Sequence, residues 1–492
     1  MNTKNKSMIR VKITLNSVRL THWSSASTWH CPKNLRISAV SSVGTGIANT
    51  FRTNMKCMFN RTRLFASFIT IASASCGGAF AQSITFRTND YNVGAQPTAV
   101  VGADVFGTGR PAIITANLSD NTVTVLGNFG NGTFASNATY KVSSSPQAIV
   151  AADWNGDGKI DLASVGSSAT MILTNYNSGL FSSNATIGAG GTCAIAFNLN
   201  GSGAPALLIG GSVTVSLFTN NGTGSFGLNS TLPVPGPVYS MAAADVNLDG
   251  TLDLLVANQN DGSVTVFTNT GSGSLVSNAT YIVSGPFVLH GIAVADINND
   301  GYPDLIANRP AGFPTQALSI WTNNGSGVFG SNTVVAVGLG GSSLIAADFN
   351  GDGFIDLAAL DSSDRPGIVS IVTNSSSGFG NYSTNVAGIE PPAMAMADFN
   401  GDGKPDLVLA NAGTSVTVML NSTVFASPPL NIVAGGGGGS VLYWKSPAPD
   451  SVLQATTNLA NPNWTNVTSG QPIQGLAVSN AAPALFFRLI SR

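Results

Sequence analysis

The chain has 492 residues, 43% of them apolar, which is enough for a packed core and excludes disorder throughout. Charge is sparse at 9% and unevenly placed: all 23 Asp and Glu lie after residue 81, while 11 of the 21 Lys and Arg lie before it. Beyond residue 81 those 23 acids face only the remaining 10 basic residues, a balance that disfavours nucleic acid as a partner.

Residues 55–81 are expected to be a secretory signal: a basic start, an apolar run from Leu64 to about Ala74, and small residues ending at Ala81, where cleavage is predicted. A membrane anchor is the rival, but it would need roughly 20 apolar residues. No later segment has the length and apolarity to span either. Cys76 in "SASC" is an alternative lipid-attachment site, although Ser73 stands where an aliphatic residue is expected. Residues 1–54 precede a complete signal and are expected to be a non-native extension ahead of a start at Met55. The mature protein is thus expected outside the cell or on its surface. Cys193 is the one cysteine beyond the cleavage point, so no intramolecular disulfide can stabilise it.

From residue 82 to 428 a unit of about 49 residues repeats. Its clearest marker is an acidic text, "ADWNGDGKIDL", "ADVNLDGTLDL", "ADINNDGYPDL", "ADFNGDGFIDL" and "ADFNGDGKPDL", beginning its loops at Asp153, Asp245, Asp296, Asp348 and Asp398. Degenerate copies at Asp104 and Asn198 complete seven units, spaced 49, 45, 47, 51, 52 and 50 residues apart. Each unit reads as four short antiparallel strands with period-two alternation between Gly, Asn and Ser turns. Seven such sheets predict an all-β, seven-bladed propeller. The seventh unit lacks fourth-strand text, whereas "ITFRTNDYNVGAQP" at 84–97 supplies it, so the first strand is expected to close the ring. An open superhelix is the alternative.

The repeats resemble the FG-GAP and VCBS type, the family that includes the integrin α-subunit propeller. "NGSGVFG" (324–330) and "NGTGSFG" (221–227) supply the Phe-Gly part. Where the integrin-type pattern has Gly-Ala-Pro after the second strand, this chain has "VAN", "IAN" or "LAN", which is nearer the bacterial secreted branch.

The acidic loops differ from an EF-hand. Position 12, a bidentate Glu there, is Ser164, Val256, Ala307, Ala359 or Leu409, and the last acid falls at position 9. The oxygen-rich donor set suits Ca²⁺. The candidate ligands are Asp153, Asn155, Asp157 and Asp161; Asp245, Asn247, Asp249 and Asp253; Asp296, Asn298, Asp300 and Asp304; Asp348, Asn350, Asp352 and Asp356; and Asp398, Asn400, Asp402 and Asp406. The main-chain carbonyls of Lys159, Thr251, Tyr302, Phe354 and Lys404 are candidates as well. An acidic turn without metal is the bland alternative. Units one and three lack these side chains, so about five structural calcium ions are expected.

The rim opposite these loops is the expected ligand face by analogy with the family, with Asp261, Phe287, His290, Arg309, Phe313, Asp361, Asp364 and Arg365 as its candidates. Solvated turns without function are the competing account. Trp154 and Trp321 are expected to pack rather than to stack on sugars. His290, Glu390 and Cys193 are the sole His, Glu and Cys after residue 81, leaving little material for catalysis. The "NAT" texts at Asn137, Asn184 and Asn278 match a glycosylation acceptor but are explained by turn chemistry. Residues 430–492, with five glycines at 435–439, are expected to form a small β-domain. The expected protein is a monomeric, exported, calcium-binding adhesion or binding module for an extracellular protein or glycan. A propeller-based lyase or glycosidase is the alternative.

Overall fold

The computed structural model describes residues 84–199, 204–259, 261–283, 289–309, 316–338, 342–362 and 366–423, and the backbone of six short strands between 431 and 490. The expected extension and signal segment lie outside the described residues. Among those described there is no helix, and seven four-stranded antiparallel sheets form the blades of a propeller.

Blade 1 shows the plan. Its inner strand Pro97–Ala103 leads through the first loop into Ala112–Asn117, then Thr122–Asn128 and the outer strand Phe134–Lys141. The second strand is buried along its length because it is covered on both faces by neighbouring blades, whereas the outer strand exposes most of its side chains. That gradient explains why the second strands read as unbroken apolar text and the outer ones as polar text.

Blade 7 is made from both ends of the array. Its strands Ala393–Ala397, Asp406–Ala410 and Ser415–Asn421 are joined at the edge by Phe86–Asn92, in antiparallel register from Phe86 opposite Asn421 to Asn92 opposite Ser415. Just beyond, Thr85 N donates to Thr423 Oγ1 at 3.1 Å and Ser422 N donates to the Thr85 carbonyl at 2.8 Å. The ring is therefore closed by the N-terminal strand.

A Phe near the start of the outer strand, Phe329 of the Phe-Gly text for one, lies between blades. Tyr91, Tyr140 and Tyr281, each on an outer strand, meet Phe134, Phe181 and Phe329 of the next blade edge-on, with ring centroids 5.3, 5.5 and 5.5 Å apart. Tyr281 Oη also accepts Phe329 N at 3.2 Å, and Tyr140 Oη accepts Phe181 N at the same distance.

The "NAT" asparagines sit inside the outer strand, which corrects the expectation of a turn. Pairing slips from Val125–Ala138 to Leu126–Ser136, leaving Asn137 as the extra residue of a β-bulge, and Asn184 and Asn278 stand at the same point of their blades. The bulge re-aims the side chain, so that Asn137 Nδ2 donates to the Gly179 carbonyl of the next blade at 3.3 Å.

Near the C-terminus, Asn431–Ala434 pairs with Ser440–Tyr443, which also pairs with Gly475–Val478, and Val452–Thr456 lies between Thr465–Asn466 and Phe486–Ile490. The strands flanking the five glycines are thus partners in one sheet. No helix among the described residues is long and apolar enough to cross a membrane.

Removal of the closing strand leaves the third strand of blade 7 as an open edge and loses several hydrogen bonds worth about 1 kcal/mol each. A chain starting at residue 95 is expected to melt about 5 °C or more below the full chain in calorimetry. An unchanged melting temperature would contradict closure.

Candidate metal loops and the opposite rim

In each blade the first loop follows the inner strand, and its nine positions run, in blade 7, from Asp398 to Asp406. Position 1 organises the turn: Asp398 Oδ1 accepts Gly401 N at 2.8 Å and Asp402 N at 3.1 Å, and Oδ2 accepts Gly403 N at 2.8 Å. Asn400 Oδ1 accepts Asp402 N at 2.8 Å, and Asp402 Oδ1 accepts Lys404 N at 3.1 Å. Gly403 has φ 78°, a left-handed conformation that a β-carbon would strain, which is why the text needs glycine there.

Position 9 behaves differently. Asp161, Asp253, Asp304, Asp356 and Asp406 open the second strands and are 0% exposed. Each carboxylate accepts two backbone amides. For Asp406 these come from Phe399, at 2.9 Å to Oδ2, and Asn421, at 2.6 Å to Oδ1. The equivalent donors are Trp154 and Asn175, Val246 and Asn269, Ile297 and Asn323, and Phe349 and Asn374, all within 3.2 Å. This acid therefore ties its loop to the end of the third strand.

The same strand ends carry residues that sequence reasoning missed. Asn128, Asn175, Asn220, Asn269, Asn323, Asn374 and Asn421 each stand at or within two residues of the end of a third strand and donate Nδ2 to the position-2 carbonyl of the preceding blade. The acceptors are Phe399, Val105, Trp154, Leu199, Val246, Ile297 and Phe349, at 2.9, 2.7, 2.5, 2.6, 2.8, 2.7 and 2.8 Å. The bond from Asn128 to Phe399 joins blade 1 to blade 7 and completes the circle. The position-2 side chains are themselves buried, Trp154 included. The available signal is the Asn that recurs at the close of the third-strand text in all seven units, the two without acids among them.

Burial drives the position-9 pKa values up: Asp161 to about 6, and Asp356 and Asp406 to about 7, with Asp253 and Asp304 raised for the same reason. The two other acids of each loop push in the same direction. Asp157 is held low by its hydrogen bond from Lys159 Nζ, and Asp249 by that from Thr251 Oγ1. As they stand, no three carboxylates among the described residues gather closely enough to enclose an ion. The donor set nonetheless fits a hard cation. Each carboxylate has about four lone-pair sites, so two amide bonds leave capacity at position 9. A cation would offset the negative charges of three acids on one nine-residue loop, one of them buried.

The opposite rim only partly matches the expected ligand face. Asp361 is the last residue of the strand Asp356–Asp361 and is 2% exposed, so it is not a loop residue open to a ligand. Asp261 accepts Ser263 N and Oγ at 3.1 and 2.8 Å within its turn. His290 is half-buried against Tyr239, ring centroids 4.9 Å apart, and burial lowers its pKa. Burial likewise pushes the Cys193 thiol up to about 12. Arg309 ends the strand Asp304–Arg309, while Phe287, Phe313, Asp364 and Arg365 lie outside the described residues. The "VAN" and "LAN" asparagines close hairpins on this rim: Asn258 Nδ2 donates to Ser263 Oγ and Thr265 Oγ1, and Asn411 Nδ2 to Ser415 Oγ and Thr417 Oγ1. Trp154 and Trp321 both pack against core side chains, as expected.

A closed ring of seven sheets with an acidic hairpin repeated at one rim defines a repeat β-propeller. The chain matches the family model described as FG-GAP-like repeat over residues 104–164, 198–256, 245–307 and 311–359, and that of the FG-GAP repeat over 290–328 and 391–419. It belongs to the FG-GAP repeat family. A search of curated proteins found no significant match. Among solved structures, BBS1N in complex with ARL6DN, soaked with mercury, aligns at 12% identity and TM-score 0.49, covering 70% of this chain and 99% of that one. The lead-soaked form of that complex gives 13% and 0.48, covering 70% and 98%. An Agrocybe aegerita lectin that recognises non-reducing terminal N-acetylglucosamine gives 18% and 0.43, covering 69% and 87%.

Two variants separate the jobs of the loop acids without calcium. Asp406→Ala strands two buried amides, and urea unfolding in chelator should show a loss of about 2–6 kcal/mol. Asp402→Ala touches only exposed partners and should cost less than about 1 kcal/mol there. Equal costs would contradict the division.

The pH dependence has a definite sign. A position-9 carboxyl whose pKa is raised on folding stabilises the fold below the ordinary carboxylate value of about 4 and loses that contribution as pH rises to about 7. The melting temperature in chelator should accordingly fall between pH 4 and pH 7, and a rise across that window would count against the buried acids.

Proposed function

We propose that this protein is an exported propeller that binds an extracellular protein or glycan and is stabilised by about five calcium ions in the first loops of blades 2, 4, 5, 6 and 7, those beginning at Asp153, Asp245, Asp296, Asp348 and Asp398. The observation that carries the calcium reading is the buried position-9 carboxylate beneath two further acids, repeated in five loops. Fifteen of the 23 acids are committed there, more than a set of solvated turns requires. When bound, calcium supplies compensating charge. The chain's own residues supply the oxygens: the carboxylates of positions 1, 5 and 9, the position-3 amide and the position-7 carbonyl.

The binding role follows from a propeller fold consistent with a binding module, together with a rim opposite the acidic loops whose hairpins are locked by buried asparagines. Rigid hairpins presenting loops are a suitable scaffold for recognition. Within that rim His290 and the residues of loops 308–317 and 361–367 remain the proposed ligand-facing group, with Asp361 removed from it.

Ligand that binds only the folded state raises its stability with concentration. Calcium at 100 times its dissociation constant should therefore add about 2.7 kcal/mol per independent site and raise the melting temperature, and chelator should reverse the gain. A melting temperature indifferent to calcium at pH 7 would overturn the calcium reading. For the ligand, calcium-loaded protein should give glycan-array or surface-extract binding that is lost on replacing loop 308–317. Binding that survives this replacement and that of 361–367 would move the site elsewhere.

A further inference from the structure

We propose that the loops of blades 4 to 7 take up calcium as one coupled array, while the loop of blade 2 fills independently. This rests on the calcium reading above and goes beyond it in saying how the sites communicate.

The physical path is a continuous series of short, buried hydrogen bonds. In blade 5, Asp304 accepts the amides of Ile297 and Asn323 at 3.2 and 2.8 Å. The Asn323 side chain then donates to the Val246 carbonyl of blade 4 at 2.8 Å. Val246 lies between Asp245 and Asn247, two candidate ligands of the blade 4 loop, and its own amide is held by Asp253 at 3.0 Å. An ion that draws on Asp304 therefore fixes the backbone whose side chain orders the next loop, and the second ion meets a loop with less freedom left to lose. Equivalent steps connect blade 7 to 6 and blade 6 to 5.

Blade 2 is set apart. Position 9 is Ala206 in blade 3 and Ala112 in blade 1, so neither neighbour has a carboxylate joining its loop to its third strand. The Asn220 amide still reaches the Trp154 carbonyl at 2.5 Å, but it arrives from a blade without the acid set. A mechanical link is present there, and a second site to couple with is not.

The test is a calorimetric calcium titration of the full chain, starting metal-free, for the native protein and three variants. The native chain should show a steep phase, Hill coefficient above 1, and a separate non-cooperative site. Asn323→Ala should flatten the steep phase and weaken its mean affinity by about five-fold or more. Asn220→Ala cuts the same kind of bond next to the isolated site and should leave the steepness unchanged. Asp300→Ala, at an exposed ligand position, removes one ion without cutting the path and should weaken the rest of the array but not the isolated site.

Five independent sites in the native chain would overturn the coupling while leaving calcium binding intact. So would equal effects of Asn323→Ala and Asn220→Ala. Absence of any calcium heat or thermal shift would overturn the calcium reading and the coupling together.

Discussion

Each blade is fastened to the one before it by an asparagine amide that reaches across the gap to a main-chain carbonyl, and the rest of the molecule depends on that bond. The acceptor belongs to a peptide whose side chain is buried between blades. In the five acid-bearing loops its N–H is held from the other side by a buried carboxylate. A peptide fixed at both polar ends and by its side chain has little freedom, and the ring of seven asparagine bonds, five of them to such peptides, sets the spacing of the blades. For a chain with one cysteine beyond the expected cleavage point, this girdle does work that disulfide cross-links do elsewhere.

The position-9 aspartate is consequently a group with two demands on it. Its two amide partners favour the charged form, while its burial and the two acids above it favour the neutral one, and burial wins. Such a carboxylate is poised to gain from a cation, which would let it keep the charge that its hydrogen bonds prefer. The loop can thus be a structural joint and a metal site at once.

The repeat, the strand count and the closing strand were legible because they are written in alternation, turn residues and period, which are local properties. The role of Asp406 was half legible: spacing shows that an acid is there, but only the fold shows it enclosed by Phe399 N and Asn421 N. The inter-blade asparagines were overlooked because an Asn after an alternating strand reads as the start of a turn, and its acceptor in the neighbouring blade is some 70 residues away in sequence. Asp361 reads as a loop residue for a similar reason. The polar run "DSSDRPG" looks like a loop from its first residue, yet Asp361 pairs opposite Ile368 and stays within the sheet. The bulged asparagines read as turn residues in sequence because a bulge adds a residue without leaving any local mark in the alternation.

The central claim is that the position-2 peptides and their asparagine partners form one continuous girdle. Hydrogen exchange resolved to single amides tests it most directly. The amides of Trp154, Val246, Ile297, Phe349 and Phe399 should exchange only with global unfolding, all at one protection level equal to that of the second strands. Exchange of these amides at separate, faster rates while the second strands stay protected would show seven local loops instead of a girdle, and would contradict the account.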